Sequence, residues 1–196
     1  MMRLTPAVKN FLILNIGVFI LQWLVPVISH YGALHDYRTA DFFATQFFTY
    51  MFLHAGIGHI FANMLGLYFM GPILESTIGD KKFIMLYIIC GLGAAITQVF
   101  ITTVLMDSVM VPMVGASGAV VGILIGTALF YPNIEVMLYF LFPLKLKYLA
   151  IGIVAYDLLM GAYNANSHIA HFAHFGGALF AVILIKIWKD NGGLFR

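Results

Sequence analysis

Apolar residues run almost unbroken through most of this chain, and polar ones gather in short breaks between the runs. About 20 apolar residues in a helix cross the hydrocarbon of a bilayer. On that measure the pattern predicts six helices, over about 10–28, 54–74, 83–105, 116–131, 148–162 and 169–188. The fourth and fifth are short, and the apolar connection 134–142 reads as a segment lying in the interface. Ser117 then starts a short helix below the membrane surface, at the floor of a water-filled dip. Between the first two helices, residues 29–53 carry Phe42, Phe43, Phe47, Phe48 and Tyr50, too many aromatics for a freely solvated loop. They predict an amphipathic element in the outer leaflet; the alternative is an ordinary loop packed on the bundle.

Composition agrees with a membrane solvent. Of 196 residues, 62% are hydrophobic and 9% charged, which excludes a soluble domain and leaves one all-α polytopic membrane domain over 1–196. Aromatics reach 15% and crowd the helix boundaries, as interfacial belts do. Cys90 is the single cysteine, so no intrachain disulfide forms. A scattered net charge of +2 argues against nucleic acid as a partner. The N-terminus lacks a short apolar core followed by a small-x-small cleavage site, so the first run is expected to be an uncleaved span.

Charge placement predicts orientation. With six spans, Arg3, Lys9, Lys81, Lys82, Lys145, Lys147, Lys186, Lys189 and Arg196 fall on one side, and only Arg38 on the other. The positive-inside bias then puts both termini in the cytoplasm. The chain is expected in the lipid bilayer of a prokaryotic inner membrane.

Two apolar segments hold side chains of a catalytic type. Gly115-Ala116-Ser117-Gly118 opens the fourth span, and Ala170-His171-Phe172-Ala173-His174-Phe175-Gly176-Gly177 opens the sixth. Ionisable groups in hydrocarbon are expensive and are functional candidates by default. Gly118, Gly122 and Gly126 form a small-residue stripe; Ala173, Gly177 and Ala181 form another, with His174 beside it. Such stripes let helices approach closely, and packing the two together brings His174 within reach of Ser117. A serine hydroxyl becomes a nucleophile when a base takes its proton, and histidine suits that work. The alternative is a serine bonded back to its own helix, with glycines that serve packing alone.

Acyl transfer also needs donors for the developing oxyanion. His59 and Asn63 are four apart, about 400° around a helix and so nearly on one face. With the Ser117 N–H they form a candidate anion pocket; the alternative is a pair of interhelical hydrogen bonds. His54 is offset from His59 by about 140° and is expected to have such a structural, interhelical role. His168, His171 and His174 recur every three residues, but there is no HExxH motif, no cysteine pair and no carboxylate among them. No metal or other cofactor is therefore expected. His168 is expected at the helix mouth and His171 against another neighbour. Asp157 reads as a triad member, a proton-path residue or a capped polar group, with the structural role favoured because no partner is visible. Glu75 reads as a residue tying a helix end or loop.

Together these residues resemble the rhomboid intramembrane serine proteases, from about residue 48 to 181. The resemblance is carried by Thr49-Tyr50-Met51-Phe52-Leu53-His54-Ala55-Gly56 leading to His59 and Asn63, then Leu74-Glu75 with Gly79, then Gly115-Ala116-Ser117-Gly118, then Ala173-His174-Phe175-Gly176-Gly177. It implies a six-helix rhomboid-like bundle and a Ser–His dyad without an acidic third member. Ser117 matches the nucleophile and His174 the base, with His171 out of register. Asn63, His59 and the Ser117 amide match the oxyanion hole, and Gly118 and Gly177 the supporting glycines. It further implies that the fifth span and the outer loop 162–170 gate the site. Substrates are then membrane proteins with a single transmembrane segment, cut near its outer end where small or helix-breaking residues let it unwind.

Three positions depart from that family. Thr45-Gln46 stands in place of a Trp-Arg pair, so the outer element is expected to be anchored differently. Val121 stands four after the serine, in place of an aromatic that stacks on the base, so His174 must be held by other neighbours. Ala181 replaces a glycine. Two competing readings are a pseudoprotease that escorts membrane proteins and a small transporter with a histidine relay. The Ser117/His174 pair argues against the first, and the lack of an internal repeat against the second.

Overall fold

The computed structural model describes residues 3–138, 142–163 and 170–192. Its long helices are α1 (Pro6–Leu24), α4 (Ile57–Ile78), α5 (Asp80–Val99), α6 (Ser117–Phe130), α7 (Leu146–Tyr163) and α8 (His171–Asp190). The short helices α2 (Val27–Gly32) and α3 (Gln46–Thr49) lie between α1 and α4. Phe100–Leu105 prolongs α5 as a π-helical segment. Among the described residues, five helices are long and apolar enough to cross a membrane: α1, α4, α5 with its extension, α7 and α8. The 14 residues of α6 span about 21 Å, less than the roughly 30 Å of hydrocarbon.

The exterior differs from that of a soluble protein, and some of the interior is polar. Trp23, Leu24, Phe61, Ile151 and Leu159 point outward, while Asn15, Gln22, Gln98, Asp157 and His171 are buried. Without water, buried polar groups need partners, and here they tie helices together. Helix α1 shows this at its start. Pro6 occupies its first turn, and the unpaired amides of Ala7 and Val8 donate to Glu75 Oε1 (3.0 Å) and Oε2 (2.8 Å). The Thr5 hydroxyl donates to Oε2 at 2.6 Å. A carboxylate from α4 thus caps another helix, the role that the sequence suggested for Glu75 in general terms. It also explains why α1 begins at Pro6 rather than near 10.

α4 ends at Gly79, whose φ of +81° turns the chain directly into α5. α6 lies among α4, α5 and α8. Its stripe and that of α8 meet: a methyl on Gly177 would collide with the Gly118 carbonyl, and one on Gly122 would press on the Gly177 carbonyl and Cys90.

Two connections take shapes that the sequence reading left unspecified. The segment 134–142 is expected as an interfacial run, but Glu135–Leu138 (β1) and Phe142–Lys145 (β2) pair antiparallel, with Glu135 opposite Lys145. A short apolar run suits a strand as readily as an interfacial segment. The segment 29–53 is built of short pieces. It folds back on the bundle through α2, α3 and a tight turn at Tyr50–Phe52, with Phe43 and Phe48 exposed and Tyr50 buried. Gln46, fully buried, accepts from the His35 amide and donates to the carbonyls of Tyr31 and Asp41. It is the anchor at the position where the family resemblance led us to expect a different one. Arg38 grips Asp36 with a two-pronged contact (2.9 and 2.7 Å) and reaches the Ser108 carbonyl. Asp36 also accepts from the Met110 amide. The Arg38 guanidinium, ahead of the opposing effect of burial, lowers the Asp36 carboxyl to about 2. Leu34 and Met113 exchange two backbone bonds of 2.9 Å, fastening this segment to the approach to α6.

Candidate active site

Ser117 is the first residue of α6, and the loop before it is fixed from two sides. Gly115 adopts φ +129°, and its amide donates to the Tyr50 carbonyl at 2.9 Å. Tyr50 is itself held by its hydroxyl, which donates to the Gly91 carbonyl at 2.7 Å. The ring of His59 lies against Gly115, so closely that a Cβ there would stand 2.8 Å from Nε2. The first α6 amide to bond backward is that of Val120, to the Ala116 carbonyl. The amides of the first turn are therefore free of intrahelical partners and face a favourable place for negative charge.

His174 comes from α8. The turn that presents it is pinned by Gln98 of α5, whose Oε1 accepts the Ala173 amide at 3.0 Å and whose Nε2 donates to the Thr102 hydroxyl. His174 Nε2 lies 2.8 Å from Ser117 Oγ. A cavity of about 690 Å³ opens beside the pair, with His59, Asn63, Gly118 and Val121 also in its wall.

The sequence-derived residues fare differently from one another. Asn63 and His59 both face this cavity, although Asn63 Nδ2 already donates once, to the His59 carbonyl at 3.0 Å. Its second N–H remains to be used. His59 Nδ1 accepts weakly from the Ala55 amide at 3.4 Å, which leaves the ring proton on Nε2, the nitrogen facing Gly115. The ring of His54 does not make the interhelical bond expected of it. Both ring nitrogens are buried without a hydrogen-bond partner among the described residues, and the ring packs edge-on against His59. The tie to α1 runs instead through the His54 backbone, whose N–H and carbonyl pair with the Gln22 side chain (2.9 and 3.2 Å). His168 and most of the 162–170 loop lie outside the described residues.

Asp157 is the largest correction. It showed no partner in the sequence, yet here it has two. Its Oδ2 lies 3.0 Å from His174 Nδ1 and its Oδ1 2.7 Å from His171 Nδ1. Helix α7 thus delivers a buried carboxylate to the imidazole that faces Ser117, where the family resemblance implied no acid. Gln98 and Tyr50 were also missed as site-building residues. The signal available for Gln98 and Asp157 was a polar residue in an apolar run, which marks a residue but does not name its partner. Among the described residues, no group of three or more His, Cys, Asp or Glu side chains is arranged to hold a metal ion.

Comparison with known proteins gives a consistent family. A family model described as the Rhomboid domain matches residues 42–190. Rhomboid-like protein 12, mitochondrial, of Arabidopsis thaliana is 31% identical over 160 residues, 76% of this chain and 47% of the relative. The putative rhomboid protease YdcA of Bacillus subtilis is 31% identical over 147 residues, 70% of this chain and 66% of the relative. Rhomboid protease GluP of the same bacterium is 29% identical over 127 residues, covering 65% of this chain and 22% of GluP. The chain therefore spans about half, or less, of the length of most of the curated relatives it matches.

Proposed function

This chain belongs to the rhomboid family, and on that premise we propose that it is an intramembrane serine endopeptidase. The observation that supports the reading most directly is the 2.8 Å contact between His174 Nε2 and Ser117 Oγ, in the wall of a cavity shared with His59 and Asn63.

In this mechanism Ser117 is the nucleophile and His174 the general base. The Ser117 proton passes to His174 Nε2 as Oγ bonds to the scissile carbonyl carbon, and the carbonyl π electrons move onto oxygen. The resulting oxyanion is met by the Ser117 amide, the Asn63 side-chain amide and His59 Nε2–H, all preorganised at the head of α6. Collapse of the tetrahedral species re-forms the carbonyl and breaks the C–N bond, and His174 returns the proton to the departing amine. Water then repeats the sequence on the acyl-serine and restores the free hydroxyl. No cofactor enters any step.

The substrate class that fits is a membrane protein with a transmembrane segment, cut near the outer end of that segment. In this reading the chain sits in a prokaryotic inner membrane, and the distribution of Lys and Arg supports an orientation with both termini cytoplasmic and the site toward the outer side.

The test uses purified protein in liposomes with a model single-span substrate, together with a fluorophosphonate probe for an activated serine. Wild type is expected to cleave and to label, and Ser117→Ala to do neither. Normal cleavage by Ser117→Ala overturns the mechanism. Activity retained in His174→Ala but lost in His171→Ala reassigns the base.

A further inference from the structure

His174 and His171 both turn Nδ1 toward one carboxylate. They stand three apart on α8, on adjoining parts of one face, and Asp157 of α7 reaches them with separate oxygens: Oδ1 to His171 at 2.7 Å, Oδ2 to His174 at 3.0 Å. The Asp157 side chain is 4% exposed, that of His171 3%, and that of His174 18%. An ionised carboxylate accepts hydrogen bonds and donates none. Two Nδ1 contacts therefore require Nδ1–H on both rings, and in a neutral His174 the lone pair is left on Nε2. That is the nitrogen lying 2.8 Å from Ser117 Oγ.

We propose that Asp157 is the positioning residue of His174, and that His171 is a brace holding the same carboxylate from its other oxygen. The inference rests on the proposed Ser117/His174 chemistry and adds its orienting group. Asp157 does three things through His174. It selects the tautomer able to take the serine proton, it stops the ring turning about its side-chain torsions, and it stands beside the positive charge that forms when Nε2 is protonated. His171 supplies the second donor, so that the carboxylate has a single orientation. Among the described residues, Tyr148 and Tyr156 of α7 line the same cavity as the pair, and the Tyr156 ring meets His171 edge-on; Ser117 lies at the other ring nitrogen of His174, and His59 lines the cavity beside them. Val121 lies on α6 one turn beyond Ser117 and in the same cavity wall as His174. Its side chain carries no group able to hydrogen-bond an imidazole, and among the described residues Asp157 is the partner of His174 Nδ1.

The experiment compares wild type, Asp157→Leu, His171→Ala and Asp157→Leu/Val121→Phe in liposomes, measuring kcat and KM separately, the fluorophosphonate labelling rate, and thermal stability. Asp157→Leu is expected to lose about 100-fold or more in kcat, with KM within twofold and labelling slowed in parallel. His171→Ala is expected to lose about tenfold in kcat, because His174 keeps its own bond to Asp157. Val121→Phe adds a ring to the cavity wall shared with His174 and is expected to restore at least fivefold of the loss, which a merely structural aspartate would not allow. Should Asp157→Leu fail to fold, Asp157→Ala removes the same oxygens without added bulk and is held to the same criterion. A kcat within threefold of wild type in either folded variant overturns the proposal, as does a loss confined to KM or thermal stability. Failure of wild type itself to cleave or label counts against the protease reading instead, so the two failures are distinguishable.

Discussion

Gly177 meets Gly118 through backbone alone: the space that a Cβ on residue 177 needs is already filled by the Gly118 carbonyl. The α6–α8 contact that sets His174 opposite Ser117 therefore has no side-chain thickness to give up. Gly177→Ala should push the helices apart. The expected cost is about 1–3 kcal/mol of stability from overpacking, with an activity loss of about 100-fold from misplacing the base by roughly 1 Å. Cleavage rate and thermal unfolding of the same preparation check both. Wild-type rates in a folded Gly177→Ala protein would show that the contact does not set the geometry.

Gly115 is constrained twice, by its φ of +129° and by the His59 ring lying against it. Gly115→Ala should strain the loop by about 1–3 kcal/mol and displace either Ser117 or His59. Fluorophosphonate labelling of Ser117 is expected to slow at least tenfold, a change that a distant loop substitution such as Gly192→Ala should not produce.

Glu75 accepts from Thr5, Ala7 and Val8 and so holds the start of α1. Glu75→Ala leaves these donors unsatisfied in a buried place, at about 1–3 kcal/mol per group. It lies 16 residues beyond His59 on α4, about 24 Å along the helix. Thermal stability should fall clearly, while kcat of the folded protein stays within about twofold.

Asp36 gives a pH signature outside the membrane spans. Its carboxyl is lowered from 3.8 to about 2 in the folded state, chiefly by Arg38. A group depressed on folding contributes stability above its unfolded value, and that contribution is lost as pH falls through the folded one. The melting-temperature advantage of wild type over Asp36→Asn should therefore be full above pH about 4 and shrink toward pH about 2. An advantage that grows on acidification would contradict the assignment.

Much of this was readable from residue order, and what escaped has a common cause. Apolar runs mark helices because hydrocarbon demands them, so α4 to α8 fall within a few residues of the sequence reading. Small-residue stripes are legible because only close helix contact explains glycine at every fourth place in an apolar run, as at Gly118, Gly122 and Gly126. Partners across helices are not legible in this way. Asp157 and His174 are 17 residues apart on separate helices, and no periodicity links them. The same holds for Gln98 with Ala173 and for Glu75 with Thr5. The β1–β2 hairpin was hidden because a few apolar residues in a short connection carry no period long enough to tell strand from interfacial coil.

Helix α7 fully buries only Leu146, Ala150, Asp157 and Gly161; Leu149 and Val154 are partly buried against the core, and most of the rest faces outward. Hydrogen bonds between membrane helices contribute about 0.6 kcal/mol each on average, with a maximum near 1.7. The two that Asp157 makes to α8 thus amount to roughly 1–3 kcal/mol, a sizeable part of the grip on so sparsely packed a helix. Linkage makes that grip reciprocal. Whatever draws α7 away from α8 also takes the carboxylate from His174, and whatever favours the Asp157–His174 bond draws α7 back. Separation of α7 from α8 and loss of the carboxylate from the imidazole are then two readings of one equilibrium.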